Sequence, residues 1–215
     1  NCPDCKHPSV IFKTAGTKAV VDEVQRLFPD AKIARFDTDN LKADRFEENY
    51  YEIRNGDGVD ILVGTQLLAK GLDLPRLSTL GIVLADTSLY MPDFSAEERT
   101  YQLITQVLGR IGRGHIAGKA IIQTYHPEHP ILAAAVSANY QKFYKSELES
   151  RQKFLFPPFC YLLKISVRRA SVKAAEKAAE DLKHSIETGH YKVRIEGPAP
   201  CFYERFQNKY QWQLV

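Results

Sequence analysis

Cysteine is scarce, with four residues in a chain of 215, and Cys160 and Cys201 stand alone, so no disulfide framework is available. No apolar run approaches the roughly 18 residues that cross a bilayer. No signal peptide opens the chain. The expectation is therefore a soluble, reducing compartment, the cytoplasm, with no membrane partner. Also missing is any GxxxxGK[ST] loop: Gly16-Thr17-Lys18 lacks the preceding glycine spacing, and no acidic magnesium-binding cluster is visible. By itself the chain cannot build a nucleotide-hydrolysing site. An excess of charge of one sign is nearly absent as well. Twenty-nine Lys and Arg against 26 Asp and Glu leave a net +3, which permits an acidic partner without demanding one.

What is present suits one large domain or two small ones, at 44% hydrophobic and 26% charged residues. The chain opens on Asn1-Cys2 without an initiator Met and stops at Trp212-Gln213-Leu214-Val215, inside an expected strand. It therefore reads as a piece of a longer protein.

Val10-Ile11-Phe12 and Ile33-Ala34-Arg35-Phe36 read as strands, and the helix between them turns Val20, Val21, Val24, Leu27 and Phe28 inward. A polar helix is expected around Phe46 to Arg54. Ile61-Leu62-Val63, Gly81-Ile82-Val83-Leu84-Ala85 and Ala120-Ile121-Ile122 are continuous apolar runs, the pattern of strands buried on both faces. Strands alternating with helices imply a parallel α/β sheet. Ligands of such sheets sit outside the carboxyl ends of the strands, where this chain places Asp37, Gly64-Thr65-Gln66, Asp86 and Gln123-Thr124. A Gly-Thr pair there, before a short helix Leu67-Leu68-Ala69-Lys70, offers backbone N–H groups and a hydroxyl to a phosphate. An ordinary strand-to-helix turn with Thr65 as N-cap fits equally.

The stretch around which the chain is organised is Thr105 to Gly114. As the end of a helix opened by a Ser95-Ala96-Glu97-Glu98 capping box, it puts Gln102, Gln106, Arg110 and Arg113 on one stripe. Ile104, Val107, Leu108 and Ile111 form the opposite, buried stripe. Gly109 and Gly112 each cost about 1 kcal/mol of helix stability relative to Ala. Fixed guanidinium groups with open space beside them suit a phosphate. The plainer alternative is that the arginines only offset the helix dipole before Gly114 ends the helix.

Further along, His126 and His129 lie in a proline-flanked loop without a third ligand. One long helix is expected from about Ile131 to Arg151, with a charged, solvated tail. Phe156-Pro157-Pro158-Phe159 marks a boundary. Beyond it, Leu163, Ile165 and Val167 alternate with polar residues as a strand. Ala174 to Glu187 forms a helix with Ala175, Ala178, Leu182 and Ile186 inward, and Lys192-Val193-Arg194-Ile195 and Tyr210 to Leu214 complete a βαββ unit. Lys164, Arg168, Arg169, Lys192, Arg194, Arg205 and Lys209, interleaved with Tyr203, Tyr210 and Trp212, suit a phosphate backbone with stacked bases, or simply exposed strand faces. Cys2-Pro3-Asp4-Cys5 has the spacing of half a zinc site.

Ile61 to Pro75 is similar to helicase motif V, and Gln106-Val107-Leu108-Gly109-Arg110-Ile111-Gly112-Arg113-Gly114 to motif VI of superfamily 2. Pro92-Asp93-Phe94 with Glu98-Arg99, Ile122 to Pro130, the Phe156 to Phe159 break, Gly197-Pro198-Ala199-Pro200 and Tyr210-Gln211-Trp212-Gln213 narrow this further. Together they resemble the family of bacterial primosomal proteins N′, superfamily 2 DNA helicases of replication restart, over nearly the whole chain. The chain departs from the family's pattern at Leu84, where an acidic residue is common. Leu108 and Ile111 stand in place of small alanines, and Gln211 in place of a frequent arginine.

The resemblance implies a RecA-like α/β lobe at residues 10–152, the second of a helicase, preceded at 1–9 by the end of a zinc-binding segment. A truncated α+β C-terminal domain at 153–215 would follow. It implies Arg113 as arginine finger, Arg110 as a second γ-phosphate contact and Gln106 in the same catalytic motif. Gly71 and Asp73 would lie on the ATP side, Thr65, Gln66 and Lys70 on the DNA, and Cys2 and Cys5 would be zinc ligands whose partners lie upstream. The parent would be an ATP- and Mg2+-dependent 3′–5′ helicase and a monomer. It would act on single-stranded and forked DNA, with single-stranded DNA-binding protein and primosome loading proteins as partners. This lobe alone would be inactive. A non-catalytic nucleic-acid or partner-protein docking module of RecA-like shape is the alternative, which a P-loop upstream in the parent would exclude. A different superfamily 2 translocase fits the CxxC and the Pro-Pro boundary less well.

Overall fold

A computed structural model describes residues 16–36, 58–65, 74, 76–111, 118–189 and 191–215. The expected strand at Val10–Phe12, the polar helix around Phe46–Arg54 and the short helix Leu67–Lys70 lie outside these residues. The chain divides into two compact units, one ending at Glu147 and one beginning at Leu148.

In the first unit, α1 (Thr17–Leu27) precedes β1 (Ile33–Phe36), which pairs in parallel with β2 (Ile61–Gly64). The ladder is entered through a reciprocal tie. The Lys32 amide donates to the Asp60 carboxylate at 2.9 Å, and the Asp60 amide to the Lys32 carbonyl at 2.9 Å. Val20, Val21 and Val24 are half-buried, as their spacing requires, but Leu27 and Phe28 are exposed.

A second parallel pair joins β3 (Thr79–Ile82) to β4 (Lys119–Ile122). Among the described residues the four strands form two separate two-stranded ladders rather than one continuous sheet. The expected run to Ala85 stops at Ile82, because Leu84 takes a left-handed φ of 61° that no strand accommodates. Burial on both faces fails here too. Ile82 and Ile122 pack inward, whereas Val83 and Ile121 are about half exposed on the other side.

Three helices cover that inner face: α2 (Asp86–Leu89), α3 (Ala96–Leu108) and α4 (Pro130–Val136). Their core joins Leu89, Tyr101, Ile104, Ile131, Leu132 and Phe143, and the Tyr101 and Phe143 rings stack at 4.0 Å. Phe143 belongs to α5 (Tyr140–Phe154), which is not continuous with α4 as the apolar spacing suggests. Ala138 adopts φ 50°, and the Asn139 amide donates back to the Ala134 carbonyl, ending α4. The Asn139 side chain then accepts from the Lys142 amide at 2.9 Å, capping a new helix. The charged stretch of α5 is not wholly solvated either, since Glu147 is buried.

The second unit holds β5 (Ile165–Arg169), α6 (Val172–Thr188), β6 (Ala199–Phe206) and β7 (Lys209–Leu214), an antiparallel sheet in the order β5-β7-β6 with one helix. Ala175 and Ala179 of α6 are fully buried, and Ser171 caps its start by accepting from the Ala174 amide. The βαββ order is as expected, but its second strand is displaced. Lys192 to Ile195 is irregular and exposed at Val193, and the strand lies instead at Ala199–Phe206. Leu163 is likewise exposed and outside β5. Gln207 and Asn208, both with positive φ, make the two-residue turn into β7.

Candidate functional site

The site is built on α3. Thr100, Tyr101 and Ile104 are buried along one side, the Thr100 hydroxyl donating to the Ala96 carbonyl at 2.8 Å. On the opposite side Glu98, Gln102 and Gln106 follow at four-residue steps, with the Gln102 amide donating to Glu98 at 2.9 Å. Gln106 is exposed at the carboxyl end of this row. Helical order ends at Leu108, earlier than the motif's periodicity implies. The Gly109 amide still donates to the Thr105 carbonyl at 2.9 Å, but those of Arg110 and Ile111 reach only three residues back, to Val107 and Leu108. Arg110 thus leaves the helix in a tighter turn, half-buried, rather than continuing the Gln102–Gln106 stripe. Gly109, the poorest helix former in the run, stands at this end, and one turn earlier Thr105 already donates its hydroxyl to the Tyr101 carbonyl at 2.8 Å.

The start of α3 is fixed differently from a capping box. Ser95 occupies the N-cap, yet its hydroxyl donates to the Asp93 carboxylate at 2.6 Å, as does its amide at 2.9 Å. Arg99 pairs with the same carboxylate at 3.3 Å. Asp93 therefore organises the turn, leaving Glu98 to Gln102. The signal in the sequence was Asp two residues before Ser, an Asx turn.

At the carboxyl ends of β3 and β4, Asp86 is buried and accepts from the Thr124 hydroxyl at 3.1 Å and from the Tyr125 amide at 3.1 Å. These bonds join the segments that follow β3 and β4. Thr65 follows β2, exposed, with its amide extending the ladder to the Phe36 carbonyl at 3.2 Å. Of the expected site residues, then, Gln106, Arg110 and Thr65 are described. Arg113, Gly71, Asp73, Gln66, Lys70, Cys2 and Cys5 lie outside the described residues. Among the described residues no three His, Cys, Asp or Glu gather as a metal site, and His129 instead caps α4 through Nδ1, which accepts from the Ile131 amide.

In the second unit the basic and aromatic residues are partly committed to one another. The Arg168 guanidinium lies 4.8 Å from the Phe206 ring centre and donates to Gln211 at 2.8 Å. Gln211 is buried and donates in turn to the Tyr203 carbonyl at 3.0 Å. Arg205 lies over Tyr210 at 5.5 Å. The sequence offered no sign that Gln211 would be the buried link of this chain.

Comparison with known proteins matches residues 6–115 to the helicase conserved C-terminal domain. Residues 152–215 match the primosomal protein N C-terminal domain. The chain is 35% identical over its full length to the replication restart protein PriA of Bacillus subtilis, covering 27% of that protein. It is 36% identical to that of Synechocystis, covering 26%, and 36% identical to that of Treponema pallidum, covering 33%. It thus spans about a quarter to a third of the length of these relatives. No helix among the described residues is long and apolar enough to cross a membrane. The chain belongs to the helicase conserved C-terminal domain family, and its continuation into the primosomal protein N C-terminal domain groups it with the PriA proteins of replication restart.

Proposed function

We propose that this chain is the second lobe, with the beginning of the C-terminal domain, of an ATP-dependent 3′–5′ DNA helicase that starts primosome assembly at abandoned forks. The observation carrying this reading is the helicase family match over residues 6–115, which takes in α3 and the arginine-bearing turn at its end. Arg113 acts as the arginine finger and Arg110 as a second γ-phosphate contact, with Gln106 beside them. Gly71 and Asp73 face the nucleotide, which a P-loop lobe elsewhere in the full-length protein holds. Mg2+ bound with ATP supplies charge neutralisation on the phosphates. Arg110 sits in the turn that follows a helix anchored by Tyr101 and Ile104, which favours a fixed guanidinium for charge developing on the transferred phosphoryl group.

Thr65, Gln66 and Lys70 grip the DNA backbone, and Cys2 and Cys5 complete a zinc site with upstream cysteines. The domains run 1–9, 10–152 and 153–215. The protein works in the cytoplasm as a monomer, on single-stranded and forked DNA, with single-stranded DNA-binding protein and the primosome loaders. The test is single-stranded DNA binding by this chain at two salt concentrations, with DNA-stimulated ATP hydrolysis by the full-length protein. Binding that weakens steeply with salt supports the DNA-gripping role. Full-length protein that hydrolyses no ATP on DNA would leave only a docking module.

A further inference from the structure

Two walls support α3. One is α2 with Leu89, which follows β3; the other is α4 with Ile131 and Leu132, which follows β4. A single side chain ties the exits of those two strands together. Asp86, the first residue of α2, accepts from the Thr124 hydroxyl at 3.1 Å, and its two oxygens accept from the Tyr125 amide at 3.3 and 3.1 Å. Thr124 is engaged from the other side as well, its oxygen accepting from the His126 amide at 3.0 Å. The Ala85 amide donates to the Gln123 carbonyl at 3.0 Å, so backbone and side chain close the same gap. The segment being closed is strained. Leu84 sits at φ 61°, a conformation that a γ-branched residue keeps only where its surroundings over-determine it.

We propose that Asp86 and Thr124 are positioning residues. Their hydrogen bond locks the α2 and α4 walls in the spacing that holds α3, and through it aims Gly109, Arg110 and the residues after them. The pair touches no nucleotide. It acts through Leu89 on one side and Ile131 on the other, both in the cluster that buries Tyr101 and Ile104. Removing the hydroxyl of Thr124 leaves Asp86 with only the Tyr125 amide. The walls can then shift, and a small displacement at the end of α3 moves Arg110 out of line. The catalytic consequence rests on the helicase reading; the positioning itself does not.

The experiment uses the full-length protein and two readouts. Thr124→Val should raise amide exchange at Gly109 and Arg110 by about tenfold while exchange in α1 stays unchanged, the mark of a local opening. In DNA-stimulated ATP hydrolysis it should lower kcat by about tenfold with KM for ATP within about twofold, since geometry rather than affinity is lost. Thr124→Ser, which keeps the hydroxyl, should restore both. Asp86→Ala, which removes the acceptor, should raise exchange at the same two amides by at least as much. Unchanged exchange at Gly109 and Arg110 in Thr124→Val overturns the proposal whatever kcat does. A rise spread evenly over the unit overturns it too, by reducing the pair to general stability. Absence of ATP hydrolysis in the wild-type protein would sink the helicase reading alone, while the exchange measurement still decides the clamp.

Discussion

Ile104 is the residue on which the support of α3 most depends. It is 1% exposed and lies in the cluster of Leu89, Tyr101, Leu132 and Phe143. Ile104→Ala removes three carbons, worth about 2.4 kcal/mol at roughly 0.8 kcal/mol per buried methylene. A residual cavity adds to that, because stacked rings cannot collapse into the gap, and brings the loss to about 3–4 kcal/mol. That is a large share of the stability of an ordinary domain, about 5–15 kcal/mol. Ile104→Val should lose about 1 kcal/mol. Ile121→Ala, on a side chain 53% exposed, should lose less than about 1 kcal/mol. The assay is urea unfolding followed by far-UV circular dichroism, accepting only variants with an unchanged m value. The single Trp, Trp212 in β7, gives a separate fluorescence signal from the second unit. A loss below about 1 kcal/mol for Ile104→Ala would mean α3 is not held by this core.

Gly109 has φ −65° and ψ −3°, which an L-residue accepts, and an added Cβ meets the Thr105 carbonyl oxygen at 3.3 Å. Gly109→Ala should therefore change stability by less than about 1 kcal/mol yet lower turnover by re-aiming Arg110, seen as a nearly unchanged melting temperature with reduced kcat. Gly197→Ala should instead destabilise by about 2–3 kcal/mol, because φ is +103° and the new Cβ would lie 2.8 Å from the Gln213 carbonyl oxygen, measured by thermal unfolding. The hydrogen bond from Arg26 holds the Glu23 carboxyl below its ordinary value, with the guanidinium's charge adding to it. The folded-state value is the depressed one, so the contribution is present above the unfolded value and fades as pH falls through the folded one. Arg26→Ala should return Glu23 to the ordinary carboxylate range in an NMR titration.

Periodicity made the parallel strands, the buried side of α3 and the alanine face of α6 legible, because each is dictated by spacing over several turns or alternations. It could not locate the places where one residue changes the chain's direction. The apolar pattern runs unbroken from Ile131 to Leu148, yet Ala138 in a left-handed conformation and the Asn139 cap divide it. Conversely Val193 and Ile195 have strand-forming side chains, but the strand forms at Ala199–Phe206, where Pro200 is tolerated because β6 is an edge among the described residues. Motif VI showed the same limit. Its residues were legible, while the helix end at Leu108 depends on a competition between Gly109 and the last turn that no pattern of apolar spacing expresses.

The most direct measurement is DNA-stimulated ATP hydrolysis by the full-length protein carrying Arg113→Ala, beside single-stranded DNA binding by the same variant. Loss of an arginine finger removes roughly 10³–10⁵ in rate, so the account predicts turnover near background with DNA affinity within a few-fold of wild type. Wild-type turnover in that variant would contradict it.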